Sequence, residues 1–147
     1  MIQYREIINL FQSIVDNHSY YRGSGHGAIQ WIDAKKNQKY PLLFVRPMVS
    51  TGLTGIDGRV RTLSFELYSL EVPKIGDEDQ RKLLSNTEQG IYDVFAFFTD
   101  GPVQYPIGIT MVSMTPLTEA FQDAASGWVS LINIDTSGEG ISYCEMA

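Results

Sequence analysis

The sequence is short of the residues that most chemistry needs. Cys144 is its single cysteine, which excludes an intrachain disulfide and any cluster of thiolate metal ligands. His18 and His26 are its only histidines, eight positions apart across a glycine-rich stretch, without the fixed spacing that a metal-binding helix supplies. Both read as solvent-facing loop residues. Basic residues are also scarce: 11 Lys and Arg stand against 17 Asp and Glu, a net charge of −6. A chain with that balance holds no reservoir of cations for gripping phosphates, which argues against a dedicated nucleic-acid binder. Long apolar runs are missing as well. None approaches the roughly 20 residues that span a bilayer, and "MIQYREIINL" breaks its apolar residues with Arg5 and Glu6, unlike a signal peptide. The expectation is a protein without membrane contact, soluble and intracellular when made.

What is present describes one ordinary domain over residues 1–147, with 44% hydrophobic and 19% charged residues. Tyr4, Ile7, Ile8, Phe11, Ile14 and Val15 recur at helical spacing and predict a helix over 3–16. "YYRGSGHG" packs Gly23, Gly25 and Gly27 too closely for regular structure. "AIQWID" and "KYPLLFVRP" read as short strands joined by a polar turn. From Met48 to Gly58, three glycines and weak periodicity predict a long loop or flexible hairpin.

"RVRTLSFELYSLEV", residues 59–72, is the clearest strand, with Leu63, Phe65 and Leu67 on one face and Thr62, Ser64 and Glu66 on the other. Its length suggests that part of it projects past the main sheet. A second helix spans 77–100, with Asp77 as cap, Gln80 placed for the reciprocal bond, and Leu84, Thr87, Ile91, Val94 and Phe98 on its inner face. Gly90 inside it marks a close approach of backbone to sheet. The next strand, 103–116, changes face near Val112, which suggests a β-bulge or a switch in burial there, and "GWVSLINID" is the last strand. Runs of strands with two helices make this α+β: a mostly antiparallel sheet flanked by two helices, with a long projecting strand or hairpin.

Motifs that would carry catalysis fail on inspection. "GSGHG" follows a helix and lacks the Lys-Ser/Thr ending of a phosphate loop. "NIDTSGEGISYC" matches a calcium loop at Asn133, Asp135, Ser137 and Gly138, but its twelfth position is Cys144 where a bidentate carboxylate is required. No nucleophile elbow is present. Neither a cofactor nor a catalytic residue is expected. The densest collection of functional groups is "PLTEAFQDAASGW", where Glu119 and Asp123 invite an acid–base reading. The stretch reads better as a corner between strands. Pro116 stops the first, Gly127 permits the turn, Phe121 and Trp128 anchor it on the core, and Glu119 and Asp123 serve as capping, turn or contact groups.

Three stretches, "LSFELYSLEV", "TEQGIYDVFAFF" and "PLTEAFQDAASGWVSLINI", resemble the tail-terminator or head–tail joining proteins of tailed bacteriophages, most of all those of crAss-like and other Bacteroidetes phages. The resemblance implies a structural virion protein of the head–tail junction or tail, made in the host cytoplasm. It implies a hexameric or dodecameric ring, with neck, portal or tail proteins as partners and DNA passing through the channel without specific binding. The free end of the long strand would pair with a neighbouring subunit, and Met48, Thr51, Leu53, Ile56, Asp57, Arg59 and Arg61 become candidate contacts between subunits or rings. The alternative is a small-ligand or enzymatic α+β domain that uses Tyr20, Tyr21, Trp31 and Tyr40 as a binding wall.

Overall fold

A computed structural model of the chain describes residues 4–35, 38–54, 60–74, 80–100, 107–121 and 123–137. The elements run α1 (Tyr4–Asn17), β1 (Gly23–His26), α2 (Trp31–Ala34), β2 (Leu42–Thr54), β3 (Val60–Glu71), α3 (Arg81–Asp100), β4 (Ile107–Ala120) and β5 (Ala125–Ser137). The strands form one sheet in the order β1-β2-β3-β5-β4. Among the described strands, only the β1–β2 pair is parallel. The class is α+β, as the patterning predicts. Among the described residues no helix is long and apolar enough to cross a membrane.

Alternation along the strands produces two unlike faces. Leu43, Val45, Leu63, Phe65, Leu67, Ile132 and Ile134 point to one side, where they meet Ile7, Phe11, Ile14 and Val15 of α1 and Val94 and Phe98 of α3. Phe11 sits at the centre, edge-on to Phe65 at 5.6 Å and to Phe98 at 5.2 Å. Both helix stripes therefore do what their 3.6-residue periods require. On the opposite side, Leu42, Phe44, Tyr68, Leu70 and Ala125 form a smaller cluster with Ile32 of α2. That cluster covers one end of the face.

Several expectations are corrected. "GSGH" is strand β1, because pairing of Gly23–His26 with Leu42–Val45 supplies the order that its glycines cannot signal. "WIDA" is a short helix inside the predicted strand; Ile32 is buried against the second cluster while Trp31 stays exposed. Its apolar run was too short for periodicity to separate helix from strand. The sheet is thus flanked by two long helices and one short one. Of the loop or hairpin expected from Met48 to Gly58, the paired form is found: the chain is strand as far as Thr54, antiparallel to β3 from Val60. Among the described residues no projecting part of β3 is seen: it pairs with β5 from Val60 to Glu71 and with β2 over most of the same length.

α3 begins at Arg81, and the Asp77 cap lies outside the described residues. Gly90 behaves as expected, since a Cβ there would strike the Tyr21 hydroxyl and lie 3.3 Å from Ser69 Oγ. The bulge near Val112 is present: the β4 register shifts between Met111 and Ser113.

Candidate functional site

The 116–128 stretch is a corner, but its parts differ from the expected ones. Pro116 does not stop β4; it lies within the strand opposite Trp128, and β4 runs on to Ala120. Proline is tolerated there because β4 is an edge strand, where a missing N–H need not break a ladder. The turn falls at 121–124, and left-handed backbone at Glu119 (φ 48°), Phe121 (φ 65°) and Ala124 (φ 51°) bends the chain. Gly127 lies in β5 beside Leu70, and not in the turn; its role is clearance, because a Cβ there would fall onto the Ser69 carbonyl oxygen.

Two polar side chains of the corner, Ser126 and Asp123, have structural occupations. Ser126 Oγ accepts from the Glu119 amide at 2.8 Å, and Asp123 Oδ2 accepts from the Tyr40 hydroxyl at 2.9 Å. Burial, followed by that bond to Asp123, raises the Tyr40 pKa well above the usual phenol range. Phe121 stands edge-on to Tyr68 at 6.1 Å, and the Trp128 indole N–H donates to the Leu84 carbonyl oxygen at 2.9 Å. Phe121 packs against the second core cluster, and Trp128 is tied to α3 by its hydrogen bond.

The fold also assembles a polar cluster that no motif announced. His18 Nε2 bonds Asp93 Oδ2 at 2.8 Å, and Gln89 donates to the other oxygen of the same carboxylate at 2.9 Å. Tyr20 donates to Glu71 Oε2, while the Tyr21 hydroxyl meets Ser69 Oγ at 2.7 Å, and Ser69 donates to the Thr87 carbonyl oxygen. Burial raises both tyrosine pKa values, and Glu71 raises that of Tyr20 further. A His–Asp pair resembles half of a hydrolase relay, but a relay needs the second imidazole nitrogen for the nucleophile. Here Nδ1 accepts the Tyr20 backbone N–H at 3.1 Å, so the ring faces no substrate space with a free nitrogen. The cluster fastens the α1–β1 connection to α3 and β3. Local sequence carried no sign of it, because His18 and Asp93 are 75 positions apart and Tyr20 and Glu71 are 51 apart.

His26 is also no solvent-facing loop residue: on β1, its Nε2 meets the Tyr4 hydroxyl at 2.7 Å. Beside it lies a cavity of about 80 Å³ between α1 and β1, lined by Phe11, Gln12, Val15, Ser24, Leu43 and Val45 among others. Small-molecule sites usually enclose about 300–1,000 Å³. Ser24 and Gln12 are bonded to each other across it at 2.7 Å. The proposed aromatic wall is dispersed as well: Tyr20 and Tyr21 pack with the first core cluster and Tyr40 with the second. Among the described residues, no three His, Cys, Asp or Glu side chains gather as a metal site would require.

Two features remain at the surface. The first is the sheet face beyond the second cluster, left bare by α1 and α3. Its rows carry Ser64 bonded to Asn133 at 2.7 Å, Thr62 bonded to Asp135, and Arg46 paired with Glu66 at 2.7 Å. The second is the pair of outer strands. Met48 on β2 is 43% exposed, and Thr51 and Leu53 lie on the same strand. Arg61 on β3 donates to Thr136 Oγ1 at 3.3 Å, and Ile56, Asp57 and Arg59 lie outside the described residues. No protein-family model matches the chain, and no curated protein matches it.

Proposed function

We propose that the protein is a structural subunit of a tailed-phage virion, forming a homo-oligomeric ring of six or twelve copies at the head–tail junction. In this reading it meets neck, portal or tail proteins along the ring axis, and DNA passes through without specific binding.

The observation that carries this reading beyond the sequence resemblance is the bare sheet face. It is hydroxyl- and amide-rich (Thr62, Ser64, Thr110, Ser113, Thr115, Asn133), and its carboxylates are Glu66 and Asp135. Its cation, Arg46, is held by Glu66. A wall of that composition wets readily and offers phosphates little to adhere to, as a channel lining for sliding DNA must. The second core cluster and the corner close one end of this face, leaving the rest as surface.

Mass spectrometry and imaging of purified particles test the proposal. The protein should be present in ring-multiple copy number at the junction, encoded beside portal, capsid and tail-tube genes. Its absence from particles, together with a monomeric state in the presence of those partners, would refute it.

A further inference from the structure

Among the described residues, no further strand lies on the outer side of most of β2 or of β4. β1 covers β2 only from Leu42 to Val45, so β2 from Arg46 to Thr54 has no described strand on its outer side. β4 is the opposite edge along its full length of 14 residues. Soluble proteins ordinarily defend such edges with charged side chains, because an exposed ladder of N–H and C=O groups is a template for pairing. Here charge supplies none of that defence. From Pro47 to Thr54, and from Ile107 to Thr118, there is no Asp, Glu, Lys or Arg. No proline interrupts Met48–Thr54 or Ile107–Thr115, so every residue in both stretches keeps its N–H.

The two edges also match. Pro47, Phe65, Ile132 and Met111 form one row across the sheet. Next to that row, on opposite sides of it, each edge strand bulges, β2 at Met48 and β4 at Val112. These two extra residues are exposed apolar side chains, 43% and 52% accessible. Direction matches too. β2 and β5 run one way and β3 and β4 the other, so β4 runs opposite to β2. Placing a second copy beside the first in the same orientation therefore sets β4 against the neighbour's β2 as an antiparallel pair. The helices of both copies then lie on the same side of the continued sheet, and Ile107–Met111 lies level with the open part of β2.

We infer that the open edges of β2 (Met48–Thr54) and β4 (Ile107–Val112) pair with each other between neighbouring copies of this chain, continuing the sheet from subunit to subunit. Such a contact uses two different surfaces and is heterologous, so it propagates until the rotation per subunit closes a ring. The inference rests on the ring reading for that closure. The missing edge charges follow from it, since a covered edge needs no defence, and two uncharged edges meet without burying an ion. Met48 and Val112 would be covered in the assembly.

Cysteine crosslinking in full-length protein tests the pairing. In a Cys144→Ser background, Met48→Cys protein and Val112→Cys protein are mixed and treated with a short thiol crosslinker at the highest soluble concentration. The expected product is the mixed dimer, in several-fold excess over either homodimer. A dominant Val112→Cys homodimer would mean two-fold β4–β4 pairing and overturn the inference, as would no crosslink from a monomeric protein. Val112→Lys, judged folded by circular dichroism, should lose the higher oligomers in sedimentation; their persistence would also overturn it. The two readings fail separately. Mixed crosslinks from a protein absent from particles would sink the head–tail assignment alone, whereas particles that contain the protein without mixed crosslinks would sink the pairing alone.

Discussion

Trp128 reaches across the sheet–helix boundary to Leu84: the indole N–H donates to the Leu84 carbonyl oxygen at 2.9 Å. That carbonyl belongs to the first turn of α3, so one side chain sets how the helix start sits on β5. Trp128→Ala should destabilise the fold by about 2–4 kcal/mol, the lower part of the range for large-to-small changes because the ring is only half-buried. Trp128→Phe keeps most of the packing and should cost about 1 kcal/mol for the lost bond. Chemical denaturation of both variants checks the order; a Trp128→Phe protein as stable as the natural one would remove the hydrogen bond from the account, and equal losses would remove the packing.

Gly90 should resist the usual helix improvement. At an open helix position Gly→Ala gains about 1 kcal/mol. Here the new Cβ would strike the Tyr21 hydroxyl, which is held between Ser69 and the ring of His18. Overpacking of about 1–3 kcal/mol should outweigh the gain, so Gly90→Ala lowers the melting temperature. Adding Tyr21→Phe should return part of the loss, because it removes the atom that the Cβ meets first.

His26 should make the protein less stable in mild acid. Partial burial between Tyr4 and β1 holds its folded pKa below the usual 6.5. The unfolded chain then binds the proton more readily, so stability from this group is complete above about pH 6.5 and is lost as pH falls through the lower folded value. Tyr4 stays a hydroxyl across this range because burial raises its pKa. Denaturation midpoints measured from neutral to mildly acidic pH should fall for the natural protein and fall less for His26→Gln. An unchanged slope would remove His26 as a source.

His18 should be a single tautomer. Its Nδ1 accepts the Tyr20 amide proton, so the ring proton must reside on Nε2, pointing at Asp93. Nitrogen NMR should show an unprotonated Nδ1 and a protonated Nε2 in the neutral ring. His18→Phe removes the acceptor, so the Tyr20 amide should exchange faster with solvent in that variant. Unchanged protection at Tyr20 would contradict this geometry.

Periodicity determined much of this protein unaided. The α1 stripe, the inner face of α3, the alternation along β3, the close approach at Gly90 and the bulge at Val112 were all legible, because each is a local consequence of burying one face of an element. Local sequence did not reveal β1, α2 or the second half of β2. Glycines show no alternation, four residues show no reliable period, and pairing with distant strands supplied the order. The corner at 116–128 was read as structural, yet which residue turns the chain and which merely clears space depended on Ser69 and Tyr40, far away in sequence. The same holds for the His18–Asp93 cluster and for the matched edges of β2 and β4. A chain records what each segment must bury, and only the folded sheet decides which segments meet and which edges remain open.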